Sequence, residues 1–150
     1  MPVCELKGLG MVVWSPLAGG YLSSKYRPGQ ASLQGARSAE GWAFPKQYFH
    51  LEHEAILTEL HAVADELGES PARVAIRCVL EQNMVASAIV GARNAEQLRG
   101  TMAAGGWRLP AEMLQRLNKV SAQPHRYSRA MEETMAGRRN SAVKMPSGRD

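Results

Sequence analysis

Cysteine occurs only twice in the chain, at Cys4 and Cys78. Two isolated thiols build no disulfide scaffold and lack metal-binding spacing. Both read as reduced, packed side chains of a cytoplasmic protein. Aromatic residues are scarce, at 6% of the chain. None of them forms a stacking pattern with the arginines near the C-terminus, which argues against nucleic acid as a partner. No stretch reaches the roughly 20 apolar residues of a membrane-spanning helix. No apolar signal-peptide core surrounds Glu5 near the N-terminus. We therefore expect no membrane partner. A strong excess of one charge is also missing from residues 1–120, so the net charge of +4 belongs mostly to residues 121–150. That segment reads as a solvated basic extension.

What is present is an ordinary globular composition, 45% hydrophobic and 21% charged. At 150 residues the chain suffices for one domain. It falls short of the roughly 250 residues of a complete (β/α)8 barrel. A nearly continuous apolar strand, Met11 to Trp14, follows Gly8-Leu9-Gly10. Such a run suits a parallel sheet covered on both faces. Residues 18–48, rich in Gly, Ser and Pro, read as a long loop of functional type. From about His50, Ile56, Leu60, Val63 and Leu67 fall at helical spacing, and Gly68 stops the helix. Ser70 and Pro71 open another, with Val74 and Cys78 on its apolar side. A second strand is expected from Val85 to Val90. Asn94 and Gln97 then form a capping box for a helix through about Ala104. Leu109 to Val120 reads as a last amphipathic helix, and a further helix is expected near Ser128–Gly137. Strands alternating with helices indicate an α/β fold with parallel strands. Two parallel strands alone make a weak sheet. Their open edges invite self-association with another chain.

Two turns carry the chemistry. The first is Trp14-Ser15-Pro16-Leu17-Ala18-Gly19-Gly20, at the end of the first strand. Small residues there let a ligand approach the backbone, whose N–H groups can hold phosphate oxygens. Lys25 could neutralise a phosphate, and Trp14 offers a flat face to a ring. The same residues also suit a plain strand-end turn with a packing Trp, and both readings stand at this point. The second turn is Gly91-Ala92-Arg93-Asn94, where Arg93 sits at the mouth of a helix N-terminus. It suits an anion site or an ordinary capped helix with a surface Arg. Other patterns fail. Gly8-Leu9-Gly10 lies before its strand and lacks a third glycine, so it is no dinucleotide fingerprint. His50 and His53 have no second ligand pair, and His61 has no evident partner in sequence.

The run from Gly10 to Tyr26, the segment Ser70–Arg77 and the segment Ile89–Leu98 together resemble the aldo-keto reductases. The similarity covers most of residues 8–120, in the order and spacing of that family. It is nearest to the group holding the potassium-channel β subunits and their bacterial relatives. The resemblance implies the last two βα units of a (β/α)8 TIM barrel, an incomplete barrel over residues 1–120 followed by the basic extension 121–150. It implies NADP as cofactor and carbonyl reduction by hydride transfer. Trp14 would stack on the nicotinamide. Ser15, Pro16, Leu17, Ala18 and Gly19 would form the pyrophosphate-side turn, with Lys25 on a phosphate and Arg37 as a pyrophosphate clamp. Gly91, Arg93 and Gln97 would serve the adenosine end, where a basic residue favours the 2′-phosphate.

The chain also departs from the family. Gly100-Thr101 stand where relatives often carry Glu-Asn beside the adenine. The family's catalytic Asp, Tyr, Lys and His lie on earlier strands, and no residue here takes their roles. We therefore expect a C-terminal fragment that binds NADPH and is inactive alone, with a carbonyl substrate only in a complete barrel. The alternatives are a non-catalytic NADP-binding or regulatory module, or an inactive truncated product.

Overall fold

A computed structural model of the chain describes residues 2–29 and 51–122. Arg37, His50, the expected loop beyond Gly29 and the expected helix near Ser128–Gly137 lie outside the described residues. The elements below lie in one unit, Val3–Ser121, except for Pro2, the first residue of α1. They are helix α1 (Pro2–Lys7), strand β1 (Met11–Trp14), a 3₁₀ turn (Ala18–Gly20), α2 (Leu51–Leu67) and α3 (Pro71–Leu80). Strand β2 (Val85–Ile89), α4 (Ala95–Met102), a second 3₁₀ turn (Ala103–Gly106) and α5 (Ala111–Val120) follow. The described residues thus form an α/β unit with two parallel strands and no closed barrel.

Local sequence sets most of the boundaries. Helices α1 and α2 both end in a left-handed glycine, Gly8 at φ 64° and Gly68 at φ 64°. Beyond each glycine the chain turns back. The Leu9 amide donates to the Cys4 carbonyl at 2.8 Å, and the Glu69 amide to the Ala64 carbonyl at 2.9 Å. These bonds satisfy carbonyls that the helix leaves without partners. Helix α3 opens on Ser70, whose hydroxyl accepts from the Arg73 amide at 3.3 Å, with Pro71 in the first turn. Helix α5 begins later than its apolar pattern suggests, because Pro110 occupies the N-cap and Leu109 packs into the core ahead of it. Helix α1 was not expected from the sequence.

The core lies between α2, α3 and α5. Leu60, Val63 and Ala64 meet Val74, Ala75, Leu109 and Leu117, and Val63 and Val74 are fully buried. Helix α2 is rotated slightly from its expected face: Leu57 and Ala64 are core residues, while Ile56 and Leu67 are only half-buried. Arg116 ties α5 back to α2 through Glu59 at 2.6 Å and Glu66 at 2.8 Å. Arg73 and Arg77 reach from α3 to the carbonyls of Ala103 and Ala104 at 3.3 and 3.5 Å.

The strands pair in parallel, Val13 opposite Ala88 and Trp14 opposite Ile89, with an irregularity between Met11 and Val12. At the start of the pair the backbones approach closely. A Cβ on Gly10 would stand 3.1 Å from the Ala86 Cβ, so glycine fits where a side chain would crowd. The expectation that β1 is covered on both faces is not met among the described residues. Its residues alternate half-buried and exposed, with Val12 63%, Trp14 70% and the paired Ile89 59% exposed. Among the described residues helix α3 contacts β2, while Val12, Trp14 and Ile89 face solvent.

Candidate functional site

Parallel pairing brings the carboxyl ends of β1 and β2 to the same side of the sheet. The two turns that follow them line one cleft of about 1010 Å³. Ligand sites of α/β proteins form at this end of parallel strands. Trp14, Ser15, Pro16, Leu17 and Gly19 line it from the first turn, Lys25 from the segment just after it, Gly91 and Arg93 from the second turn and Gln97 from the start of α4. Ala18 belongs to the first turn but does not line the cleft; it packs against Tyr21, Tyr26 and Leu57. Arg37 lies outside the described residues.

The first turn is tightly wound. Ser15 and Ala18 adopt positive φ (55° and 48°), as do Gly19 and Gly20 (67° and 102°). Left-handed backbone at two non-glycine residues is strained and persists only where the surroundings enforce it. Hydrogen bonds within the turn do so here. The Ala18 amide donates to the Ser15 carbonyl at 2.9 Å and the Gly20 amide to the Leu17 carbonyl at 2.8 Å. The Gly19 amide donates to the Ser15 hydroxyl at 3.3 Å. The amides of residues 18–20 thus serve the turn itself. Leu17 anchors the arrangement by packing on the main core.

Downstream, residues 21–29 lie against α2. The rings of Tyr21 and Tyr26 pack at 5.7 Å and are buried with Leu57. Burial, and secondarily the Glu54 charge, pushes the Tyr21 hydroxyl above its ordinary pKa. The ring of His61, which lacks an evident partner in sequence, has its Nε2 2.8 Å from the Tyr26 carbonyl. A carbonyl only accepts, so Nε2 carries the proton. The Glu54 carboxylate accepts from the Gly29 amide at 2.6 Å.

At the second turn, Asn94 caps α4 by accepting from the Gln97 amide at 2.9 Å. The expected return bond is displaced by one residue: Gln97 Oε1 accepts from the Arg93 amide at 3.0 Å rather than from Asn94. The start of α4, with its partial positive charge, therefore opens onto the cleft beside Arg93.

Ser23, Ser24, Tyr26, Ser70 and Glu96 also line the cleft, and sequence reasoning gave none of them a role there; Gly100 and Thr101, expected beside the adenine end, line it too. Glu96 was legible as a first-turn carboxylate of α4, but Ser70 reaches the cleft only through the packing of α3. Among the described residues, no group of three or more His, Cys, Asp or Glu is arranged to hold a metal ion. No helix among them is long and apolar enough to cross a membrane. Cys4 and Cys78 are both free thiols. An exposed indole, a tight turn of small residues, and cationic side chains from both turns suit an extended anionic ligand with a planar group.

Comparison with known proteins places the chain in a family. Residues 1–122 match the model of the aldo/keto reductase family. The uncharacterized oxidoreductase YrpG of Bacillus subtilis is 35% identical over 83% of this chain and 36% of its own length. A probable voltage-gated potassium channel subunit beta of Arabidopsis thaliana is 30% identical over 69% of this chain and 32% of its own. A putative subunit of the same kind from Schizosaccharomyces pombe is 25% identical over 80% of this chain. The chain spans about a third of the length of these relatives. With the family match running through both turns and the helices that carry them, the chain belongs to the aldo/keto reductase family.

Proposed function

We propose that the cleft is the NADP(H) cradle of a carbonyl-reducing aldo/keto reductase, and that β1 and β2 are the last two strands of a (β/α)8 barrel. One observation carries this reading: two turns far apart in sequence converge on one cleft at the carboxyl ends of adjacent parallel strands. The basic segment from residue 121 onward stands as an extension to the barrel portion.

The residues of the cleft fit the cofactor. Trp14, 70% exposed at a strand end, offers its face to the nicotinamide. Lys25 and Arg93 supply charge for the pyrophosphate and the 2′-phosphate. Because the turn amides bond internally, side chains rather than the backbone of residues 18–20 hold the phosphates. Gly91 and Gln97 border the adenosine end, and Gly100 leaves that end open where a longer side chain would narrow it. Bound there, the cofactor supplies a hydride to a carbonyl carbon. The chain's share is to bind the dinucleotide and fix which face of the ring points outward. The proton for the carbonyl oxygen is a step that the family resemblance assigns to none of residues 8–120.

Titration of the chain with NADPH and NADH, followed by indole fluorescence, tests the reading. NADPH should quench, Trp14→Phe should remove most of the quench, and Arg93→Ala should weaken NADPH about tenfold while leaving NADH nearly unchanged. A flat NADPH titration, or equal losses for both cofactors in Arg93→Ala, would overturn it.

A further inference from the structure

Glu54, Leu57 and His61 lie at positions i, i+3 and i+7 of α2 and share one face. All three take hold of the short segment that follows the first turn. The Glu54 carboxylate accepts from the Gly29 amide at 2.6 Å, and the His61 Nε2–H donates to the Tyr26 carbonyl at 2.8 Å. Leu57 is buried against the rings of Tyr21 and Tyr26. Lys25, the residue just before Tyr26, lines the cleft and is itself exposed.

We propose that Glu54 and His61 are positioning residues of the cleft, pinning the backbone at Tyr26 and Gly29 to α2 so that Lys25 is held in the cleft wall. An exposed lysine on an unpinned segment would have to be ordered at the moment of binding, and that ordering weakens affinity. Here the backbone beside it is fixed in advance by three contacts with α2. The Tyr26 ring is buried with Leu57, and the Tyr26 carbonyl and Gly29 amide are bonded to the His61 and Glu54 side chains. The Glu54 bond is charge-assisted, the stronger class of hydrogen bond. The ligand in this proposal rests on the cofactor reading above, whereas the pin itself does not.

Two measurements on the full chain decide it. The first is hydrogen exchange without cofactor. His61→Ala and Glu54→Ala should each speed exchange in the peptide covering residues 25–29, with exchange in α3 unchanged. Unaltered exchange in that peptide would overturn the pin. The second is NADPH affinity in a double-mutant cycle with Lys25→Ala. His61→Ala alone should weaken NADPH roughly five- to tenfold, the range of one net hydrogen bond. His61→Gln, which keeps a donor, should stay within about twofold of wild type. In the Lys25→Ala background, His61→Ala should cost less than about twofold, because the side chain it positions is gone. Equal losses in both backgrounds, or no loss in either, would refute positioning through Lys25. If the wild-type chain binds no NADPH, the cofactor reading falls, and the exchange measurement alone decides the pin.

Discussion

Replacing Asn94 by alanine removes the acceptor for the Gln97 amide, a 2.9 Å bond in the first turn of α4. Loss of an N-cap side chain costs about 1 kcal/mol. No residue of α4 is buried, so little tertiary packing links this helix to global stability. The cost therefore falls on local opening of the helix. At 298 K, about 1 kcal/mol multiplies the open population roughly fivefold. Exchange of the α4 amides should quicken by that factor while the denaturant midpoint of the whole unit barely moves. The Arg93 amide should quicken with them, because it donates to Gln97 Oε1 at 3.0 Å and loses its partner when the turn frays. Asn94→Asp should restore most of the protection, since aspartate caps equally well. A global destabilisation of about 1 kcal/mol with no local change in exchange would refute the reasoning. It would mean that α4 is coupled to the core despite its exposure.

Val74→Ala, at a fully buried position, should cost about 2 kcal/mol from lost burial plus the residual cavity, read from chemical denaturation. The Arg116 hydrogen bond to Glu66, with the guanidinium charge, holds that carboxyl below its ordinary 4.5. The unfolded chain then binds this proton more readily than the folded one. The pair's contribution is complete above about pH 5 and is lost as pH falls through the lower folded value, so Glu66→Gln should flatten the acid limb of the stability profile. Burial pushes the Cys78 thiol up to about 11. Its alkylation should be slow at pH 8, where about one thiol in a thousand is ionised, and should rise about tenfold per pH unit; a plateau below pH 9 would contradict this.

Legibility followed the range of the interactions. The Ser70 and Asn94 caps lie within three residues of the amides they satisfy, and both form as their spacing indicates, while the Gln97 return bond goes to Arg93 instead. Helix α1 went unread because six residues carry too little periodicity, and its clearest mark is the terminating Gly8. In β1 an apolar run indicated burial on two sides, but sequence does not say how many layers cover a sheet. The bonding inside the first turn was not legible, since the positive φ of Ser15 and Ala18 redirects amides that composition alone would leave free. The α2 side chains that grip Tyr26 and Gly29 act across 35 and 25 residues of chain, a separation with no local signature. Cleft residues such as Ser70 arrive by the same kind of long-range placement.

The parallel register of Met11 with Val85 also orders events in time. Joining those strands closes a loop of roughly seventy residues, whereas α2 and α3 meet across a short connection, and closure entropy delays the former. Both walls of the cleft therefore come together late, after the helical core, and during synthesis only when β2 has left the ribosome. Pulsed exchange during refolding should protect Val63 and Val74 before Val12 and Val13. Simultaneous protection of all four would show that the sheet nucleates together with the helices.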